Sequence, residues 1–145
     1  LEQIQSWSAS EEVSDISRMC VQLISRADNF RGVSGTISQG SFRAGEEVVV
    51  LPAQRRAKIA RIVTFDGDLD EAPEGKAVTM VLEPDIDATR GDFIERAEKH
   101  TNPADRFSAN LVWFDEDELI HSRSYYLVNG SSMVPATITT IRHKL

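Results

Sequence analysis

Phe30-Arg31-Gly32-Val33-Ser34-Gly35-Thr36, then Gly40, then Ala44-Gly45-Glu46-Glu47-Val48-Val49-Val50-Leu51-Pro52 carry the densest structural information in this chain. The pattern continues through Arg61-Ile62-Val63-Thr64-Phe65-Asp66-Gly67-Asp68, the turn Ala72-Pro73-Glu74-Gly75, and Ile86-Asp87-Ala88-Thr89-Arg90-Gly91-Asp92. Short β-branched runs alternate with Gly, Pro and Asp turns, and no long helical period lies between them. Such spacing predicts an all-β fold, and closure into an antiparallel barrel is the arrangement that leaves so many short strands without exposed edges.

Working outward, a period of two begins at Arg18, with Met19, Val21 and Leu23 on one face and Cys20, Gln22 and Ile24 on the other. Both faces carry apolar residues, so this strand is expected to be covered on both sides. Further strands are predicted from Gly35 to Gln39, Glu47 to Leu51, Ala57 to Phe65 with a bulge in the middle, Ala77 to Glu83, and Asp92 to Ile94. Gly32 and Gly35 suit close backbone approach at the entry to a strand. The polar run from Gln5 to Ser17 reads as a linker, so residues 1–17 are assigned to the end of a preceding domain and its connection, and 18–99 to the barrel. His100-Thr101-Asn102-Pro103 is a breaker cluster and the expected domain boundary. Beyond it, 104–145 shows alternation from Phe107 to Phe114, then Ser124 to Val128 and Val134 to Ile141 around the turn dipeptide Asn129-Gly130. Three strands are too few for an independent barrel, so this segment is expected to be an incomplete second β-barrel domain.

Composition narrows the function classes. With 41% hydrophobic and 27% charged residues the chain reads as globular. A net charge of -7 argues against nucleic acid as a partner, which asks for a concentrated basic surface. Arg55, Arg56, Lys58 and Arg61 cluster, and the simpler reading is that they decorate a strand and its turn. One cysteine, Cys20, permits no internal disulfide and is expected to be a buried, inert thiol. No apolar run approaches membrane length and no signal-peptide pattern opens the chain, so no membrane partner is expected and the expected setting is cytoplasmic.

The sequence also lacks the motifs of several chemistries. There is no G-x-x-x-x-G-K-[ST] phosphate loop. His100, His121 and His143 have no metal-ligand spacing with Cys20, and no G-x-S-x-G elbow surrounds a serine. Asp66, Asp68 and Asp70 imitate the start of a calcium loop, but Glu71 stands where the sharp turn needs glycine and Ala77 where a bidentate glutamate is needed. No catalytic residue, metal site or cofactor is therefore expected within these residues.

Gly35-Thr36, Gly40, Gly45, the Val48-to-Leu51 strand, Gly75 and Arg90-Gly91 resemble the second-domain pattern of elongation factor Tu and other translational GTPases. Phe30-Arg31-Gly32, Leu51-Pro52, the Arg61-to-Asp68 run and Ile86-Asp87 ahead of Arg90-Gly91-Asp92 narrow the resemblance to the GTP-binding subunits of sulfate adenylyltransferase. Val134-Pro135-Ala136 with Ile141-Arg142-His143 resembles the early third domain of the same subunits, some of which are fused to an adenylylsulfate kinase. The resemblance implies a noncatalytic part of a protein that couples GTP hydrolysis to formation of adenosine 5′-phosphosulfate from ATP and sulfate. GTP and Mg²⁺ would belong to a G domain preceding these residues, and the partners would be that G domain and a separate adenylyltransferase catalytic subunit.

Charged residues flanked by glycines in turns reach a partner without disturbing a core, which makes Arg31, Gly32, Asp66, Gly67, Asp68 and Arg90 the candidate interdomain surface. Apolar strands of an incomplete second domain are expected to be hidden by self-association, a homo-oligomer contact. The alternative reading is a translation-factor-like barrel binding RNA or a tRNA end, which would need a basic or aromatic-lined face.

The missing phosphate loop yields a direct expectation: the purified chain releases no phosphate from GTP and forms no adenosine 5′-phosphosulfate. GTP turnover that co-purifies with the chain and survives controls for contaminating GTPases would overturn it.

Overall fold

A computed structural model describes residues 16–27 and 30–142. The reading of residues 1–17 as a domain end and linker lies outside the described residues, apart from Ile16 and Ser17.

Eleven strands and no helix are found among the described residues. They are β1 (Arg18–Ala27), β2 (Phe30–Gln39), β3 (Ser41–Arg43), β4 (Glu47–Leu51), β5 (Arg55–Thr64), β6 (Gly67–Leu69), β7 (Glu71–Pro73), β8 (Ala77–Glu83), β9 (Phe93–Arg96), β10 (Ser124–Asn129) and β11 (Ser132–Thr137). The main sheet runs β4-β9-β1-β2-β8-β5-β6, and a further pairing of β4 with β5 closes it on itself. All these ladders are antiparallel, so β4, β9, β1, β2, β8 and β5 form a closed barrel, and β6 extends from β5 outside the ring. β3 and β7 form a two-stranded ladder of their own, as do β10 and β11.

Alternation fills the barrel. Met19, Val21, Val33, Ile37, Ile59 and Met80 point inward and are buried, and Ile86 and Ala88 from the loop after β8 join the same cluster. Phe42, on the short β3, is fully buried against them. Gly35 is needed where β2 crosses β1, because a Cβ there would run into the Cys20 carbonyl oxygen.

Besides a register shift at Ser38 on β2, two bulges redirect side chains. On β5, Ile59 faces Leu82 and Arg61 faces Val81, so Ala60 is the extra residue, in the part of the strand where a bulge is expected. On β1, Val21 faces Gly35 and Leu23 faces Ser34, which makes Gln22 the extra residue. That second bulge corrects the alternation read from sequence: Leu23 leaves the face of Met19 and Val21 and becomes exposed, and Ile24 turns toward the core instead.

The C-terminal region departs further from expectation. Residues 107–114 alternate in sequence but form no strand, and Phe107, Leu111, Val112 and Phe114 are exposed. A strand needs a neighbour for its backbone groups, and the β10–β11 ladder accepts no third strand here. Trp113 is held instead by its indole N–H donating to the Asp117 carbonyl at 2.8 Å and by an edge-on contact with Tyr125. The hairpin itself forms about Asn129-Gly130, with Asn129 opposite Ser132 and Gly130-Ser131 as its two-residue loop. β11 ends at Thr137 rather than Ile141.

The core makes a quantitative expectation. Phe42→Ala removes a fully buried ring and lowers the unfolding free energy by about 3–5 kcal/mol. Phe65→Ala removes an equally large side chain that is fully exposed, and changes stability by less than about 0.5 kcal/mol. Urea denaturation of both variants checks the contrast, and equal effects would mean that the core is misassigned.

Candidate functional site

The six candidate residues do not gather into one site. Arg31 lies at the start of β2 and forks between two carboxylates: Nη1 donates to Asp85 at 2.9 Å and Nη2 to Asp87 at 2.7 Å. These aspartates flank Ile86, which is buried in the core, so Arg31 ties down the loop that plugs this end of the barrel. Its Nε is buried without a hydrogen-bond partner. The Arg31 hydrogen bond, then its charge, holds the Asp87 carboxyl below the ordinary aspartate range, with weaker help from Arg55 and Arg26. Gly32 is buried beside this cluster, where a Cβ would collide with the Thr79 methyl group.

Asp66 lies in the turn between β5 and β6, and Gly67 and Asp68 open β6, at the far end of the barrel. β8 runs antiparallel to β5, so its C-terminal end, which leads to Asp85 and Asp87, lies by the start of β5, and this turn follows the other end. Asp68 takes both Nε and Nη2 of Arg61, at 2.7 and 3.1 Å. That hydrogen-bonded pair lowers the Asp68 carboxyl, whereas Asp66 is exposed. Arg90 is exposed in the loop before β9 and makes no ion pair among the described residues.

A different surface is built from residues that the sequence did not single out. On the outer face of the barrel, register places Val49 opposite Glu95 and Glu95 opposite Arg18, with Leu51, Phe93 and Cys20 in the next row. Val49, Leu51 and Glu95 are buried although they point away from the core cluster. Glu95, 1% exposed, accepts from Arg18 Nε and the Thr101 amide, each at 2.6 Å, and from the Thr101 hydroxyl at 3.2 Å. The Arg18 guanidinium also donates to the Thr101 hydroxyl and lies over the Phe93 ring. A carboxylate taken out of water is tolerable only with partners of this kind, and here they fasten the segment after the barrel to β1 and β9.

The β10–β11 turn lands beside them. The Ser131 hydroxyl donates to the Val21 carbonyl at 2.9 Å and lies 3.3 Å from Cys20 Sγ. A Cβ on Gly130 would sit 2.9 Å from that sulfur, and one on Gly91 would sit 2.9 Å from the Ser132 Cβ. Two glycines thus let the hairpin tip seat on the barrel wall. Cys20 is half-buried under this tip, not enclosed in the core as its sequence context predicts. Only the turn dipeptide at Asn129-Gly130 was legible beforehand, because nothing local links it to Cys20.

Among the described residues no group of three His, Cys, Asp or Glu side chains could hold a metal ion. A shallow cleft between Gly45, Glu46, Glu47, Arg96 and Glu98 is lined by three glutamates, and Arg96 is already committed to the Ser41 carbonyl and Glu46. No helix among the described residues is long and apolar enough to cross a membrane.

The fold class is shared with translation elongation factors. The selenocysteine-specific factor SelB of Methanococcus maripaludis, in its apo form, superposes with a TM-score of 0.74 at 24% identity, covering 86% of this chain and 29% of that one. At that identity the likeness is one of fold. No family profile matches the chain. The bifunctional enzyme NodQ of Azospirillum brasilense is 46% identical over 127 residues, which is 87% of this chain and 20% of that protein. Sulfate adenylyltransferase subunit 1 of Aliivibrio fischeri is 40% identical over 129 residues, 88% of this chain and 27% of that protein. The bifunctional enzyme CysN/CysC of Rhodopirellula baltica is 41% identical over the same length. The chain is homologous to a β-barrel segment of sulfate adenylyltransferase subunit 1 and its bifunctional relatives, and spans about a fifth to a quarter of the length of those it matches.

The Arg31 fork sets a pH expectation. The Asp87 carboxyl, followed by NMR, titrates below the usual value of about 3.9. Stability from this depressed carboxyl is fully present above the unfolded value and is lost as pH falls through the folded one. Arg31→Gln should return Asp87 toward the ordinary range and leave Asp68, at the other end of the barrel, where it is. An unmoved Asp87 would remove Arg31 as the cause.

Proposed function

We propose that this chain is the noncatalytic β-barrel part of a sulfate-activating GTPase subunit, working in the cytoplasm, where a single unpaired cysteine is at home. The whole protein would help convert ATP and sulfate into adenosine 5′-phosphosulfate and pyrophosphate, driven by GTP hydrolysis. The observation that carries this reading is the 46% identity to NodQ over 127 residues, nearly the whole chain. The fold supports it, since a closed barrel offers a rigid body rather than a catalytic cleft.

In this reading GTP and Mg²⁺ bind in a G domain outside these residues, ATP and sulfate meet on a separate adenylyltransferase subunit, and the barrel transmits motion between them. Sulfate-phosphate anhydride formation is uphill, so a nucleotide-driven conformational cycle is the means of pulling it forward. The seat of Ser131 on Val21 and the Glu95 clamp on Thr101 would make the barrel and hairpin turn together. Arg31, Asp68 and Arg90 remain candidates for contact with the G domain. Exposed Tyr126, Val128, Met133 and Val134 on the hairpin would be covered by a further β surface, and in the isolated chain by a second copy. RNA binding has only the fold in its favour, against a net charge of -7.

The test uses the whole subunit containing this segment, together with its partner subunit. ATP, sulfate and GTP should yield adenosine 5′-phosphosulfate and GDP, and leaving out GTP should lower the yield at least tenfold. Equal yield with and without GTP, or saturable binding of a tRNA end by this chain at physiological salt, would overturn the reading.

A further inference from the structure

One end of the barrel concentrates positive charge in a chain that is otherwise acidic. After its bulge β1 turns Ile24 toward the core, and Arg26, two residues on, shares that side at the rim. Arg31 follows the inward parity of Val33 on β2, and Arg55 that of Ala57 on β5, so all three arginines stand on the lip above the buried Ile86. Register sets Arg26 directly opposite Arg31, a like-charge pair that is unfavourable without compensation. Asp85 and Asp87 hydrogen-bond to Arg31, and Asp87 reaches Arg55 and Arg26 only through weaker, longer-range attraction. Arg26 and Arg55 are exposed and form no ion pair among the described residues. Glu83, the nearest remaining acid on β8, lies opposite Lys58 and faces outward, away from the lip. Among the described residues the rim therefore holds three guanidinium groups against two carboxylates, within a chain whose net charge is -7.

We infer that this arginine lip is a docking point for an acidic segment of a partner protein, whose carboxylates take Arg26 and Arg55 while Asp85 and Asp87 keep Arg31 in place. Guanidinium groups suit such an interface because each offers a planar fork to a carboxylate and is weakly hydrated. A compact phosphate placed at the centre would face Asp85 and Asp87. A peptide can set its carboxylates separately, outside those two residues. A polynucleotide meets the repulsion of the whole chain. The lip is also clear of the hairpin, since Cys20 and Arg26 are separated by about 20 Å of strand. Within the function proposed above, the partner is the adenylyltransferase subunit, and this assignment rests on that reading.

A fluorescent octaglutamate peptide is the probe. It should bind the chain, weaken as NaCl rises from 50 to 300 mM, and lose at least tenfold in affinity to the double variant Arg26→Glu/Arg55→Glu. Lys76→Glu, before the opposite end of β8, should change affinity less than twofold, and thermal melting of both variants should match that of the parent chain. Equal losses in the two variants would overturn the lip as the site. Displacement of the peptide by inorganic phosphate or an RNA octamer, beyond that by chloride at equal ionic strength, would overturn the ligand class. In the whole subunit the same double variant should bind the partner subunit at least tenfold more weakly. Unchanged subunit affinity, with octaglutamate binding lost and GTP-driven activity intact, would overturn the partner assignment while leaving the sulfate-activation reading standing.

Discussion

The pairing of β4 with both β9 and β5 is the constraint on which everything else rests. Without the β4–β5 ladder the main sheet would be open, with two edges of unpaired backbone. Closure removes those edges but fixes a narrow interior, so inward positions must be filled by one contiguous set of aliphatic side chains and Phe42. It also forces strands to cross closely, which is why β2 carries glycine at Gly35 against the Cys20 carbonyl. The bulges on β1 and β5 belong to the same geometry, since an extra residue adds local twist where a ring of short strands must bend.

A closed barrel then has only its outer wall and its two rims with which to engage anything. On the wall, the β4-β9-β1 face breaks the usual alternation by burying Val49, Leu51 and Glu95 on the side away from the core. Burying a carboxylate is costly unless each of its lone pairs finds a donor, and Arg18 and Thr101 supply them. Geometric selectivity is what such an arrangement offers in place of a larger apolar contact. A leucine at this position could pack against many neighbours, whereas Glu95 is satisfied only when Thr101 and Arg18 arrive together.

How much of this was legible in sequence follows from how local each feature is. β4 and β8 are bounded by turn residues on both sides, and their spans from Glu47 to Leu51 and Ala77 to Glu83 were readable in full. The bulge on β5 was visible because its alternation falters between Ile59 and Ile62. β3 and β7, of three residues each, are too short for periodicity to register. Gln22 gave no sign of being the extra residue on β1, and alternation from Phe107 to Phe114 misled, since periodicity reports which face a strand would bury and not whether a partner is there to pair with it. The candidate surface fared in the same way. Arg31 stood out beside Gly32, but its grouping with Arg26 and Arg55 depends on register across four strands, β1, β2, β8 and β5. Cys20 and Ser131 are 111 positions apart, and only folding brings them together.

The wall and the rims differ in the kind of contact they permit. The wall contact with the hairpin is short-ranged: a hydroxyl on a backbone carbonyl, a glycine against a sulfur, a methylene against Gly91. Such contacts tolerate little displacement, because van der Waals gaps of even half an ångström forfeit much of their energy. The lip carrying Arg26, Arg31 and Arg55 acts over longer distances, through charge that salt can screen within about 10 Å. Short-ranged packing fixes orientation and long-ranged charge guides approach, so the two surfaces suit different tasks. The tight one suits a neighbour in the same chain, always present at high effective concentration. The charged one suits a separate molecule that must first be found.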